Sequence, residues 1–267
     1  MKFDNRRVST RGVDDLRGTS RGKGVAVGGG AGLLVLAAVL VFNFISGGNV
    51  DPALVGSALG GEVQSGTGES AAELEQRCST QGAIQQYNDC FLIKIYNETD
   101  EVWSAEFARE GLPYEAPRLA FFTGSVSTGC GPATADVGPF YCPPDERMYF
   151  DLDFLLELQD RFGAEGRYAQ AYILAHEFGH HLQTLLGAEN RVRQAQQRNP
   201  SQADELSIAL ELQADCYAGV WGRLANDSGN VTITDAELTQ AQQAAAAVGD
   251  DRIQQQTTGR INPDTWT

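Results

Sequence analysis

The chain has 267 residues and a formal net charge of −15, with 42% hydrophobic and 21% charged residues. A surface this acidic repels phosphate backbones, so a nucleic-acid partner is not expected. The net charge is informative about solubility and partners, but it does not select a fold.

An apolar stretch without charged residues, residues 24–46, follows a basic segment, residues 1–23. As a helix it would be long enough to cross about 30 Å of hydrocarbon. Seven basic residues against three acidic ones precede it, and by the positive-inside rule this bias keeps the N-terminus in the cytoplasm. We therefore expect a transmembrane helix at 24–46 with the rest of the chain outside the cytoplasm. A cleaved signal peptide is the competing interpretation, but its apolar core is usually about 7 to 15 residues long.

The next segment, residues 47–70, is rich in Gly, Ser and Ala and has few large apolar residues. This composition is typical of a flexible linker. Residues 71–267 then form a folded domain whose length suits one hydrophobic core better than two. No internal repeat is evident.

Four of the five cysteines form two pairs with equal spacing, Cys78 with Cys90 and Cys130 with Cys142. A location outside the cytoplasm favours disulfides, so we expect both pairs to be bonded, although four cysteines allow three connectivities. Zinc ligation by these cysteines is the rival interpretation, but the C-x-x-C spacing is absent. We expect Cys216 to be a buried free thiol.

Apolar periodicity between residues 92 and 107 predicts a helix, while residues 118–122 and 148–152 have the composition of short strands. Helices dominate after residue 166, and Thr234 with Glu237 forms a capping box for a helix through Ala247. The expected fold class is therefore helix-rich α+β. If residues 148–152 form an edge strand beside the cleft, an extended peptide could add to it by backbone hydrogen bonds.

All three histidines of the chain lie in the segment H-E-F-G-H-H, residues 176–181. On a helix, His176 and His180 stand on one face and can turn both imidazoles toward one point. Two histidines flanking a glutamate would leave polar groups stranded in a core unless a metal or partner paired them. The pattern therefore predicts a zinc site, with Glu177 beside the metal as the base that takes a proton from an activated water.

A catalytic zinc ion of this kind needs a third protein ligand, and no histidine remains to supply it. The variant H-E-x-x-H-x-x-G-x-x-H is excluded because Gln183 and Leu186 occupy its Gly and His positions. The third ligand must therefore be a carboxylate. The best candidates are Glu211 and Asp215, four residues apart on a predicted helix.

Carboxylates are costly to bury on a mostly apolar helix unless they meet a cation or donors. The economical assignment places Glu211 on zinc, with Asp215 accepting the ring N–H of a ligand histidine and so fixing its tautomer. In the alternative interpretation, Glu205, Glu211 and Asp215 form a solvated acidic edge of the helix.

Two blocks of the chain, YILAHEFGHHLQ at 172–183 and ELQADCYAGVW at 211–221, resemble the signature blocks of the neutral zinc metallopeptidase family of bacterial membrane-anchored proteins. Further segments that resemble this family are 11–15, 128–131, 138–143 and 148–152. The resemblance covers nearly the whole chain. It implies a zincin-like domain, a bound Zn²⁺ with glutamate as third ligand, peptide substrates and a place in the bacterial cell envelope.

The C-terminus departs from the family pattern, which continues past residues 262–267 into a Thr-His-Gly-Ser segment. If that histidine binds substrate or stabilises the oxyanion, the present chain would bind zinc and hydrolyse poorly. The electrophilic donor opposite the zinc ion would then be a tyrosine such as Tyr149 or Tyr217.

These patterns together predict a membrane-anchored zinc metallopeptidase that binds zinc through His176, His180 and Glu211. The rival interpretation is a membrane-tethered zinc-binding scaffold, or an inactive or truncated homologue. His181 points about a third of a turn away from His180, so it is expected to be a packing or solvent-facing residue and not a ligand.

Overall fold

A computed structural model describes residues 1–3, 8–17, 69–134, 137–155 and 167–239. The chain divides into two compact units, Met1–Asp15 together with Glu69–Thr267, and Leu16–Gly68. The first unit contains the predicted site. Of the second unit, only residues 16 and 17 are among the described residues.

The described strands of the first unit form one four-stranded sheet and two antiparallel two-stranded sheets. Among the described residues they are β1 (Lys2–Phe3), β2 (Val13–Asp15), β3 (Arg118–Phe122), β4 (Ser125–Thr128), β5 (Gly131–Thr134), β6 (Phe140–Cys142), β7 (Arg147–Asp151) and β8 (Val231–Thr232). The two-stranded sheets pair β1 with β8 and β4 with β5. The central sheet has the order β2-β3-β7-β6. Its first three strands are mutually parallel and β6 runs antiparallel to β7. Strands β3 and β7 are buried almost throughout, as is typical of parallel strands covered on both faces.

Helices supply the rest of the core. Within the described ranges they are α1 (Ala71–Cys78), α2 (Ala83–Gln86), α3 (Asn88–Arg109), α4 (Arg167–Leu185), α5 (Ala188–Arg198) and α6 (Ala203–Asp227). A capping box between Ser70 and Glu73 starts α1. Gly187 separates α4 from α5 in a left-handed conformation, with φ of 68°, which glycine adopts without a Cβ penalty. The predicted capping box of Thr234 and Glu237 is present.

Helix α4 lies at the centre of the unit. It packs against α6 and α3, and also against strands β6 and β7. Its interior side chains, among them Ile173, Leu174 and Phe178, belong to the main hydrophobic cluster. This position brings the H-E-x-x-H segment between the sheet and α6.

The expected fold class, a helix-rich α+β zincin-like domain behind a single N-terminal transmembrane helix, is wrong. The structure is a mixed helix and sheet fold, and no helix within its described ranges is long and apolar enough to cross a membrane. Strand β2 pairs residue by residue with β3, from Val13 with Leu119 to Asp15 with Phe121, so residues 13–15 are part of the central sheet. The stretch expected to span the membrane, 24–46, and the linker up to residue 68 lie outside the described residues.

The cysteine predictions have two outcomes. Cys78 is bonded to Cys90, and Cys130 to Cys142. Zinc ligation by these four side chains is thereby excluded, because a disulfide sulfur is no longer a thiolate. Cys216 is a free thiol, but it is exposed and not buried, because it lies on the outer face of α6.

The edge strand is also not the one expected. Strand β7 lies between β3 and β6, so residues 147–151 are interior to the sheet. The strand at that edge is β6, only three residues long. The composition of residues 148–152 predicted a strand, but composition does not distinguish a central strand from an edge strand.

Candidate metal centre

Two crossing helices, α4 and α6, supply the predicted site residues. The helical repeat places His176 and His180 on one face of α4, and Glu211 and Asp215 on one face of α6. The helices meet closely at Gly179, where a Cβ would lie 3.0 Å from the Cα atom and from the carbonyl oxygen of Ala214. The absence of a side chain at residue 179 therefore lets the two pairs approach each other.

Three potential ligand atoms converge at this crossing. The Nε2 atoms of His176 and His180 are 3.1 Å apart. Oε2 of Glu211 lies 3.1 Å from Nε2 of His176 and 3.5 Å from Nε2 of His180. Two atoms bound at 2.0–2.1 Å to one tetrahedral ion would be about 3.3 Å apart. The three atoms therefore have the mutual spacing of a zinc ligand set.

The remaining ring nitrogens have partners that fix the tautomers. Nδ1 of His176 lies 2.9 Å from Oδ1 of Asp215, and Nδ1 of His180 lies 3.0 Å from Oε1 of Gln183. A carboxylate or an amide oxygen can only accept here, so each Nδ1 carries the hydrogen. In the neutral imidazoles each Nε2 is then unprotonated, and its lone pair is directed at the Nε2 atom of the other histidine.

Two imidazole lone pairs and a carboxylate oxygen thus face one another at hydrogen-bond distance, an arrangement that repels unless a cation or protons lie between them. This proximity shifts the pKa values of His180 and Glu211. Burial lowers the pKa of His180, but the Glu211 carboxylate raises it more, to about 9. Burial raises the pKa of Glu211, but the histidines, above all His180, hold it far below its ordinary value. The donor set fits Zn²⁺, which favours imidazole and carboxylate ligands.

The site is open to solvent on one side. The exposed side-chain fractions are 16% for His176, 20% for His180 and 33% for Glu211. A small ion with a further ligand or a substrate could therefore reach the three atoms without rearrangement of the core.

Glu177 is buried next to the ligand pair, with 7% of its surface exposed. Burial raises its pKa above the ordinary value, opposed by the charges of His180 and His176 and by the backbone N–H of Tyr141 in β6. A carboxylate with a raised pKa exchanges protons more readily near neutral pH, as a general base requires.

A tyrosine extends the hydrogen-bond chain on the His176 side. The hydroxyl of Tyr172 donates to Oδ1 of Asp215 over 2.5 Å, the same oxygen that accepts from His176. Tyr172 precedes His176 by one helical turn, so both side chains project from α4 toward α6. Asp215 thus receives two donors from α4 and is held in one orientation.

His181 lies apart from the ligand atoms and is fully buried. Its Nδ1 atom is 3.0 Å from the hydroxyl of Tyr141, and its Nε2 atom is 2.7 Å from the carbonyl oxygen of Glu115. Because a carbonyl only accepts, Nε2 carries the hydrogen and Tyr141 donates to Nδ1. His181 therefore ties α4 to β6 and to the segment before β3.

The two candidate tyrosine donors have other neighbours. The hydroxyl of Tyr149 donates to Oδ2 of Asp145 over 2.7 Å. The ring of Tyr217 packs edge-on against Trp103, with ring centroids 5.4 Å apart. A transition-state role for either tyrosine stays a prediction, as do the ligand roles of His176, His180 and Glu211.

Gln183 and Tyr172 are partners of the site that the sequence did not predict. A signal was present for both, because they lie three residues after His180 and four residues before His176, on the same helical face. It was not decisive, since polar residues at those spacings are common on exposed helix surfaces.

The chain matches a known protein family over its whole length. The sequence profile of the family described as Putative neutral zinc metallopeptidase matches residues 1–267. The chain is 39% identical to a protein of Escherichia coli strain K12 named Uncharacterized protein YpfJ, over 100% of this chain and 90% of that protein. It is 45% identical to a Mycobacterium tuberculosis H37Rv protein named Uncharacterized protein Rv2575, over 72% of this chain and 66% of that protein. No solved structure matches the chain.

Proposed function

The chain belongs to the neutral zinc metallopeptidase family, and we propose that it is a zinc-dependent hydrolase of peptide bonds in peptides or proteins. The observation that carries the proposal is the convergence of the His176 and His180 Nε2 atoms with Oε2 of Glu211. Three lone pairs at this spacing suit a divalent cation. The partly exposed face leaves room for a substrate, as a catalytic zinc site requires.

In the proposed reaction, His176, His180 and Glu211 would hold the ion. Bound zinc would lower the pKa of a water molecule and polarise the substrate carbonyl. Glu177 accepts the proton of the attacking water and then passes it to the leaving amine. Asp215 and Tyr172 keep the His176 ring in the orientation and tautomer that ligation needs.

The proposed location is a compartment outside the cytoplasm. Two disulfides, Cys78–Cys90 and Cys130–Cys142, support it, because such bonds persist in oxidising compartments and are rare in the cytosol.

The test is hydrolysis of an unstructured protein by the zinc-loaded chain, beside Glu177→Gln and the control Glu205→Gln. Glu205 is an exposed acid on α6, so its substitution changes charge without changing the site. We expect Glu177→Gln to retain zinc and lose hydrolysis, and Glu205→Gln to keep both. Undiminished hydrolysis in Glu177→Gln would overturn the proposed mechanism. Bound zinc without hydrolysis in any form would instead favour a zinc-binding scaffold or an inactive homologue.

A further inference from the structure

The side chain of Gln183 joins the two helices of the site. It is 1% exposed and lies on α4, one turn after His180. Its Oε1 atom is 3.0 Å from Nδ1 of His180, and its Nε2 atom donates to the carbonyl oxygen of Leu210 over 2.6 Å. Leu210 immediately precedes Glu211 on α6.

The bond to Leu210 decides which end of the amide faces the histidine. A carbonyl oxygen cannot donate, so the NH₂ group of Gln183 must face Leu210 and its oxygen must face His180. Nδ1 of His180 then carries the hydrogen, and its Nε2 lone pair is directed at Glu211 and His176. The amide thereby selects the tautomer that can bind a metal.

The same bond also holds the third candidate ligand. The Leu210 carbonyl lies inside α6, where the helix already supplies a backbone N–H partner four residues later. The Gln183 bond is therefore not needed to satisfy that carbonyl. The Gln183 bond instead fixes the position of α6 along α4, at the residue next to Glu211.

We infer that Gln183 is a positioning residue for the metal site: it sets the tautomer of His180 and fixes α6 beside Glu211, without contacting the ion. Metal affinity depends on this side chain through those two contacts. The inference rests on the zinc site of the proposed function, but not on peptide hydrolysis.

Gln196 offers a matched control. It lies on α5, and its Nε2 atom donates to the backbone carbonyl of Ala203 over 3.1 Å and to Oγ of Ser207 over 3.0 Å. It therefore joins another helix to α6 with the same chemical group. It has no contact with a histidine of the site in the described structure.

The experiment compares zinc dissociation constants, from competition with a chelator, in the wild type, Gln183→Met and Gln196→Met. Loss of an outer hydrogen bond to a ligand histidine typically weakens metal binding about 10–100-fold, and we expect this for Gln183→Met alone. The absorption spectrum of the cobalt-substituted protein should also change in Gln183→Met and not in Gln196→Met. Thermal unfolding of both metal-free variants shows whether a general loss of stability could account for the difference.

Gln183→Glu separates the two contacts and guards against a methionine variant that does not fold. Its carboxylate can still accept from Nδ1 of His180 but cannot donate to Leu210. We expect it to lose less zinc affinity than Gln183→Met, because only the contact with Leu210 is removed, and to lose stability in the metal-free form.

Equal zinc affinity in Gln183→Met and Gln196→Met, or equal losses in Gln183→Glu and Gln183→Met, would overturn the inference. Zinc binding that depends on Gln183 in a protein without hydrolysis would uphold it and contradict the proposed function instead. A wild type that binds no zinc would overturn both.

Discussion

Gly179 and Ala214 form the contact that lets the two ligand-bearing helices meet. A Cβ on residue 179 would lie 3.0 Å from both the Cα atom and the carbonyl oxygen of Ala214, closer than packed carbon atoms tolerate. Backbone atoms cannot turn aside as a flexible side chain could. Gly179 lies between His176 and His180 on α4, and Ala214 lies three residues after Glu211 on α6. The separation of Gly179 and Ala214 therefore fixes the distance between the two histidines and the carboxylate.

Gly179→Ala should therefore separate α4 from α6. We expect the free energy of unfolding to fall by about 1–3 kcal/mol, as for other overpacked contacts, and zinc affinity to fall with it. Chemical denaturation and chelator competition measure the two quantities.

Gly219→Ala is the control for that substitution. Gly219 lies in α6, and a Cβ there would have no heavy atom within 4 Å apart from its chain neighbours and the backbone of its own helix. The change should leave zinc affinity intact and could stabilise the helix by up to about 1 kcal/mol, since alanine has the higher helix propensity. Similar losses in both variants would show that the close approach at residue 179 is not the cause.

Asp215→Ala removes the acceptor that fixes the His176 tautomer. Zinc affinity should fall roughly 10–100-fold, while Tyr172→Phe, which removes only a donor to Asp215 and keeps the ring, should have a smaller effect. Asp227→Ala deletes an acid of the same helix that pairs with exposed Arg223 and should leave affinity unchanged. Chelator competition on the three variants gives the ranking, and a larger effect for Tyr172→Phe than for Asp215→Ala would contradict this account of the hydrogen-bond chain.

Tyr149 should make stability depend on pH in the alkaline range. Burial, with the hydrogen bond to Asp145, raises its pKa to about 12, above the ordinary value of about 10. Because the folded state favours the neutral phenol, this contribution to stability is complete below about pH 10 and is lost as the pH rises from about 10 to 12. Urea unfolding across that range should show a shallower decline for Tyr149→Phe than for the wild type. Equal slopes would exclude Tyr149 as a source of the decline.

The sequence was most informative where a pattern is local. The four-residue spacings of His176 with His180 and of Glu211 with Asp215 follow from the helical repeat, and each pair does share a helix face. The strands at 118–122 and near 148–152 were predictable because short runs rich in aromatic and apolar residues favour strands. Both expected disulfide pairs are present, although equal spacing alone does not select one of the three connectivities that four cysteines allow.

Contacts between distant segments were not predictable in this way. The pairing of β2 with β3 joins residues more than a hundred positions apart, and the bond from Gln183 to Leu210 joins two helices. The membrane prediction treated residues 1–23 in isolation from the domain, whereas residues 13–15 form part of its central sheet. A local hydropathy pattern contains no information about such pairing.

The apolar character of α6 was also misleading. Its many apolar residues suggested a helix buried on most sides, yet Ile208 is 52% and Leu212 is 62% exposed. Cys216, expected in the core, lies on the same outer face. Glu211 and Asp215 are consequently half-buried beside this face and are not enclosed in a core.

The most direct test of the central claim is the zinc content of the purified chain and of Glu211→Ala, by mass spectrometry after equilibration with zinc and removal of the free ion. The account predicts one zinc ion per wild-type chain, strong depletion in Glu211→Ala, and full retention in the control Glu205→Ala from the exposed face of α6. A wild type without zinc, or a Glu211→Ala variant that retains zinc as the wild type does, would contradict the assignment of His176, His180 and Glu211 as the metal site.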